Sequence, residues 1–216
     1  MTLRLSQIDA SNIADHTRLI DSDTCLYVYE YTSGRNYAFS QTNSLINNLK
    51  KRPSTASPAE LRYKAGAIAD CAKLFADTLN PEWLDIATLV PVPGSKAADH
   101  PDFDDRMARI LRAIRPGLDV RELVHQRTST VAAHEAAPGE RISVQALIDD
   151  YEIVEALAEP PPRQIGIFDD VLTAGTHYRA MHTVLSRRFP GVPITGLFVA
   201  RRVFPPEHDQ AAPLAF

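Results

Sequence analysis

The chain has 216 residues, 44% of them hydrophobic, and 23 Lys and Arg against 27 Asp and Glu, a formal net charge of −4; this suits one large domain with a real core, alone or with an appendage. The acidic balance argues against sequence-independent nucleic-acid binding, which favours a basic surface, although a local basic patch stays open. Two cysteines, Cys25 and Cys71, lack ligand spacing, which excludes a Cys-rich zinc centre and leaves reduced, buried thiols. No apolar stretch approaches the ~20 residues that span a bilayer, and no secretion-type segment opens the chain, so the expectation is a cytoplasmic protein without a membrane partner.

In chain order, Thr24 to Tyr31, TCLYVYEY, predicts a strand, followed by a turn at Ser33-Gly34-Arg35-Asn36. Thr42 to Lys51 predicts a short helix carrying Leu45, Ile46 and Leu49, and Arg52 to Pro58 a connector. Ser57-Pro58-Ala59-Glu60 reads as a helix start, with Ser as cap, Pro in the first turn and Glu reaching back. Leu61, Ala65, Ile68, Ala72, Phe75 and Leu79 then predict one core-facing stripe, ended at Asn80-Pro81. Ile86 to Val92, IATLVPV, predicts a strand broken by Pro93-Gly94-Ser95-Lys96. Phe103, Met107, Ile110, Leu111 and Ile114 mark a second amphipathic helix, ended by Pro116-Gly117, and Val120 to Val124 a short strand. His125 to Gly139 is a long polar loop, of a length that is usually functional or mobile. Glu140 to Asp149 reads as a helix. After the stiff Pro160-Pro161-Pro162 come a strand at Ile165 to Phe168, a helix at Tyr178 to Arg188, a last strand at Ile194 to Ala200 and a Pro-rich tail over the surface. No internal repeat is visible.

Helices alternating with short apolar strands predict an α/β fold, a parallel-centred sheet flanked by helices. Ligands of such sheets bind at the carboxyl ends of the strands. Two loops leave strand ends in this reading, 93–96 and 169–176.

The second of these is the most informative stretch. In IFDDVLTAGT an apolar strand ends on adjacent carboxylates, Asp169 and Asp170, and a small-residue turn follows. Adjacent carboxylates repel unless solvent, a metal or hydroxyl donors surround them. Thr173, Ala174, Gly175 and Thr176 lie at a helix start, where exposed amides and the helix dipole favour an anion. Acceptors on one side suit sugar hydroxyls or a hydrated Mg²⁺, and donors on the other suit a phosphate. A ribose 5-phosphate carrying a metal-bound polyphosphate matches both. A P-loop lacks its Gly-Lys-Ser/Thr here, a receiver domain would carry its acid pair near the first strand, and a haloacid-dehalogenase-type phosphatase wants Asp-x-Asp. The plain alternative is an acid pair that only caps the following turn.

Ile165 to Thr176, IGIFDDVLTAGT, resembles the motif of the type I phosphoribosyltransferases that binds 5-phosphoribosyl 1-pyrophosphate (PRPP). Within that family the chain is most similar to the ComF-type branch, over roughly residues 24–201 and without that branch's Cys₄ zinc element. The resemblance implies a phosphoribosyltransferase-like fold with a small N-terminal hood: residues 1–85 as hood strands and packing helices of the same domain, 86–204 as core and 205–216 as tail. It implies that Asp169 and Asp170 are the catalytic acid pair, hold the ribose hydroxyls and meet Mg²⁺, the expected cofactor, through water. It places the 5′-phosphate on Thr173, Ala174, Gly175 and Thr176, with His177 beside it, and pyrophosphate on Gly94, Ser95 and Lys96. It makes Thr130 to Arg141 a mobile loop, with Arg127, His134 and Arg141 as candidate cations over pyrophosphate. Ala174 stands where the family commonly has a second Thr, His177 where it has Thr or Ser, and Pro101-Asp102-Phe103-Asp104-Asp105 where it has Arg-Gly-Phe-Asn-Gln.

The implied activity is Mg²⁺-dependent transfer of the phosphoribosyl group to a nitrogen acceptor, the acceptor itself being unreadable. The alternative is a non-catalytic PRPP or nucleotide sensor, or a ComF-like protein acting in DNA uptake or another nucleic-acid process. A homodimer is compatible with either. Arg201-Arg202 after the last strand is expected to face water, and asparagine at both 169 and 170 is expected to leave the fold intact.

Overall fold

A computed structural model of the chain describes residues 4–96, 100–128 and 142–205. The elements are β1 (Ser6–Gln7), β2 (Thr24–Thr32), α1 (Gln41–Leu49), α2 (Pro58–Thr78), α3 (Pro81–Leu84), β3 (Ala87–Pro91), α4 (Arg106–Ile114), β4 (Asp119–Val120), β5 (Val124–Gln126), α5 (Val144–Asp150), β6 (Tyr151–Ile153), β7 (Gln164–Leu172), α6 (Thr176–Arg188) and β8 (Ile194–Val203). Six strands form one sheet in the order β1-β2-β8-β7-β3-β4, and β5 and β6 pair as a small antiparallel ribbon. Every pairing in the main sheet is parallel except that of β1 with β2. The fold is therefore α/β with a mostly parallel central sheet flanked by helices. Among the described residues no helix is long and apolar enough to cross a membrane.

Two apolar layers lie on opposite faces of the sheet. One gathers Ile165, Ile167 and Val90 with Leu147 of α5 and Met181 and Leu185 of α6. The other gathers Leu89, Phe168 and Leu197 with Ile46 and Leu49 of α1, Cys71 and Phe75 of α2 and Ile110 and Leu111 of α4. β7 feeds both, as alternation along a strand requires, and β3, β7 and β8 have apolar side chains on both faces. The stretch expected as a hood supplies β2, which lies in the same sheet beside β8, and α2, which packs across that second layer.

The start of α2 is as expected. Ser57 Oγ accepts from the Glu60 amide and Glu60 accepts from the Ser57 amide at 2.9 Å. Of the stripe behind it, Ile68, Ala72, Phe75 and Leu79 are buried as expected, but its first two members are not. Leu61 and Ala65 are exposed, and the buried face runs Lys64, Ile68, Cys71 and Phe75. The head of this helix meets carbonyl and carboxylate groups instead of the apolar layer, so a lysine leads the buried face. The second amphipathic helix begins only at Arg106 and leaves Phe103 outside it. The strand expected over 120–124 is divided between β4 and β5. The helix expected from 140 begins at Val144, capped by Ser143. β7 continues past Phe168 to Leu172, so the acid pair sits within the strand.

Gly166 of β7 lies where a Cβ would meet Trp83 at 2.8 Å and Leu89 at 2.9 Å. Gly166→Ala should therefore destabilise the fold by ~1–3 kcal/mol, the range for overpacking a dense core. Urea unfolding midpoints check this; unchanged midpoints would mean the indole swings clear.

Candidate functional site

β3 and β7 are parallel neighbours, so their carboxyl ends open on the same edge. The loops that leave them, 93–96 and 173–175, line a single cleft of about 500 Å³. Gly94, Ser95, Lys96, Asp169, Asp170, Thr173, Ala174, Gly175, Thr176 and His177 all contribute to its wall. The residues expected for pyrophosphate and those expected for the ribose phosphate are thus brought together.

The loop before α6 is held from behind. The His16 ring donates through Nδ1 to the Thr173 carbonyl at 2.5 Å, the Arg18 amide donates to the Ala174 carbonyl at 2.8 Å, and the Arg179 amide donates to the Gly175 carbonyl at 2.9 Å. In a trans peptide the N–H points opposite to the C=O. With three successive carbonyls turned into the protein, the amides of Ala174, Gly175 and Thr176 point away from those partners, as an anion-binding nest requires. Gly175 makes the turn with φ +86°, and a Cβ there would lie 3.1 Å from Leu19. Both the left-handed backbone and the close approach favour glycine.

The acid pair is not a symmetric pair of acceptors. Asp170 is 4% exposed and already matched: Arg106 Nη2 lies 2.8 Å from one oxygen and Lys50 Nζ 3.3 Å from the other. Arg106 also reaches Asp104 at 2.8 Å, and Asp104 takes the buried Lys64 at 2.6 Å. Burial alone would raise the Asp170 carboxyl, but Lys50 and Arg106 outweigh it and hold the group well below the usual carboxylate range. Asp169 makes no ion pair among the described residues; its Oδ1 accepts the Asp170 amide at 2.8 Å. Burial, then the Asp170 charge, raise the Asp169 carboxyl. One carboxylate stays charged and structural, and the other is drawn toward its neutral form.

His177 opens α6 with its Nδ1 2.8 Å from the Tyr151 hydroxyl. Burial is the main reason its pKa falls to about 4; Lys50 adds to the fall and Asp170 opposes it. The ring is neutral at pH 7, and the hydrogen bond fixes it to the β5–β6 ribbon instead of leaving it on the surface.

Arg127 does not join the cleft. It is exposed and donates to the Asp149 carbonyl at the end of α5, where a cation meets the negative end of the helix. His134 and Arg141 lie outside the described residues. Arg201 does not face water: its guanidinium pairs with Asp15 and Glu30, and Arg202 donates to the Asp15 carbonyl and lines the cleft. Both arginines thereby tie the N-terminal segment to β8.

Sequence reasoning missed Lys50, Lys64, Asp104, Arg106, His16 and Tyr151. Lys64 alone left a signal, at steps of four, three and four with Ile68, Cys71 and Phe75. The others meet the site only through tertiary packing. No protein-family model matches the chain, and no curated protein matches it in sequence.

His177 sets a pH dependence. Its folded pKa lies below the unfolded value of 6.5, so its contribution to stability is fully present above pH 6.5 and is lost as pH falls toward 4. Asp169, shifted upward, contributes in the opposite sense, with stability lost as pH rises above 3.8. His177→Gln should therefore lose less stability than the wild type on going from pH 6.5 to pH 4. Parallel thermal scans across that window decide it, and identical slopes would remove His177 from the account.

Proposed function

We propose that the cleft binds PRPP and transfers its phosphoribosyl group to a nitrogen acceptor, on a phosphoribosyltransferase-like fold of ComF type. The observation that carries this reading is the juxtaposition, in one cleft at the carboxyl edge of the sheet, of an amide-lined helix start, a carboxylate pair and a second loop bearing Lys96. The 5′-phosphate would sit on the amides of residues 174–176. Asp169 would accept a ribose hydroxyl, with Asp170 held beside it by Arg106. Gly94, Ser95 and Lys96 would face the pyrophosphate.

Among the described residues no group of three or more His, Cys, Asp or Glu could hold a metal by itself. Asp169, the member of the acid pair without an ion pair among the described residues, would be the carboxylate to hold an Mg²⁺. When bound, such an ion supplies charge neutralisation to the polyphosphate. In the transfer, the C1–O bond breaks and its electron pair leaves on pyrophosphate. The acceptor lone pair forms the C1–N bond, and the acceptor proton goes to solvent.

A second reading, PRPP or nucleotide binding without turnover, is favoured by one observation: Asp170 is already spent on Arg106 and Lys50. Turnover separates the two. With Mg²⁺, PRPP and a panel of bases, the enzyme reading expects pyrophosphate release; the sensor reading expects saturable PRPP binding and none.

For either reading, Asp169→Asn should weaken PRPP binding by ~1.5–3 kcal/mol, the value of a charge-assisted hydrogen bond, when measured at a pH high enough to ionise the raised Asp169 carboxyl. This single change is the clean test. Replacing both acids would also strip Arg106 and Lys50 of their buried counter-charge, so the double substitution is expected to destabilise the fold, contrary to the reading from sequence. Gly175→Val should abolish binding of PRPP and of ribose 5-phosphate, whereas Thr176→Ala, which keeps the amides, should be milder. Calorimetry with Gly175→Val binding as tightly as wild type would dismiss the anion loop.

A further inference from the structure

Lys50 belongs to a closed circuit of charges beneath the cleft. Its ammonium touches Asp170, Asp170 holds Arg106, Arg106 holds Asp104, and Asp104 holds Lys64. Lys64 then donates to the carbonyls of Leu49, at 2.7 Å, and Lys51, at 2.8 Å, the residues on either side of Lys50. The backbone of Lys50 is clamped from behind by the same network that its side chain touches in front.

The circuit is not neutral. Lys50, Lys64 and Arg106 make ion-pair contacts with only two carboxylates, Asp104 and Asp170; the third carboxylate nearby, Asp169, feels the charges of Lys50 and Arg106 but pairs with neither, so one positive charge has no contacting counter-charge. Lys64 has three oxygen partners and a side chain only 4% exposed. Arg106 spans two carboxylates and is 19% exposed. Lys50 has a single carboxylate contact at 3.3 Å, is 32% exposed and stands in the cleft wall. The surplus charge therefore resides on the one member able to leave its partner without leaving a buried ion bare, since Arg106 still balances Asp170.

We propose that Lys50 is a catalytic residue, the cation that receives the leaving pyrophosphate. The inference rests on reading the cleft as a PRPP site. As the C1–O bond breaks, the electron pair stays on the departing oxygen, and the Lys50 ammonium donates hydrogen bonds to the diphosphate while keeping its proton. Its departure from Asp170 exposes Oδ1 to a ribose hydroxyl. Binding at the two ends of the substrate is then coupled: the diphosphate draws Lys50 away, and the sugar takes the place it leaves.

The test uses the full chain with Mg²⁺ and three probes: PRPP, inorganic pyrophosphate and ribose 5-phosphate. In Lys50→Met the dissociation constants for PRPP and pyrophosphate should rise by about ten- to a hundredfold, the value of one charge-assisted contact. Ribose 5-phosphate, which has no diphosphate, should bind as in wild type or more tightly. Lys50→Arg, which keeps the charge, should restore the diphosphate ligands, and Lys50→Gln serves if the methionine variant fails to fold. Parallel weakening of ribose 5-phosphate would make Lys50 a structural residue and overturn the proposal, as would unchanged affinity for pyrophosphate. Wild-type protein that binds PRPP while Lys50→Met does so equally well defeats the inference alone. Wild-type protein that binds neither PRPP nor pyrophosphate defeats the underlying reading and the inference together.

Discussion

The ion pair between Lys64 and Asp104 is the constraint on which the rest of the site depends. Lys64 is 3% exposed, and burying an ammonium is costly unless every donor is matched. Here the matching partners come from three directions: the end of α1, the segment after it and the turn before α4. Satisfying one buried cation therefore fixes the mutual positions of the three segments that make one wall of the cleft. Asp104 is then pinned for Arg106, and Arg106 for Asp170. Deleting one partner of such a buried pair typically costs ~3–5 kcal/mol, whereas replacing the whole set by apolar groups can be neutral. The arrangement is explained by what it positions more readily than by the stability it adds.

The opposite wall is set by a different device. There the backbone does the work, because the carbonyls of residues 173–175 are all engaged by the protein. His16 is fully buried, and burial lowers its pKa, so a neutral ring with its proton on Nδ1 serves as a fixed donor. One wall carries side-chain charge and the other carries amide dipoles.

What was legible in the sequence was local. The capping box at Ser57 and the turn at Gly175 each depend on residues a few positions apart, and each appears where it was read; the apolar strand leading into Asp169 and Asp170 is also there, but runs through the acid pair to Leu172 instead of ending on it. The stripe on α2 was misread at its head because apolar periodicity assumes an apolar neighbour, and Lys64 meets carbonyls and Asp104 instead. Arg106 and Lys50 carried no signal, because their partner Asp170 is 64 and 120 residues away along the chain. Arg201 was expected in water because a charged residue after a strand usually is; Asp15 and Glu30, brought alongside by β2, made it a crossbrace.

The sheet order has a consequence for how the protein is made. β8, the last of the described strands, is inserted between β2, the first long one, and β7. Until residues 194–203 have left the ribosome, β2 and β7 each present an unpaired parallel edge, and both strands are rich in apolar and aromatic residues. Open edges of that composition are templates for association between chains. A nascent or truncated chain that stops short of Ile194 would hold two sticky borders and no means of joining them, so β8 closes the sheet and ends its exposure to neighbouring chains at the same moment.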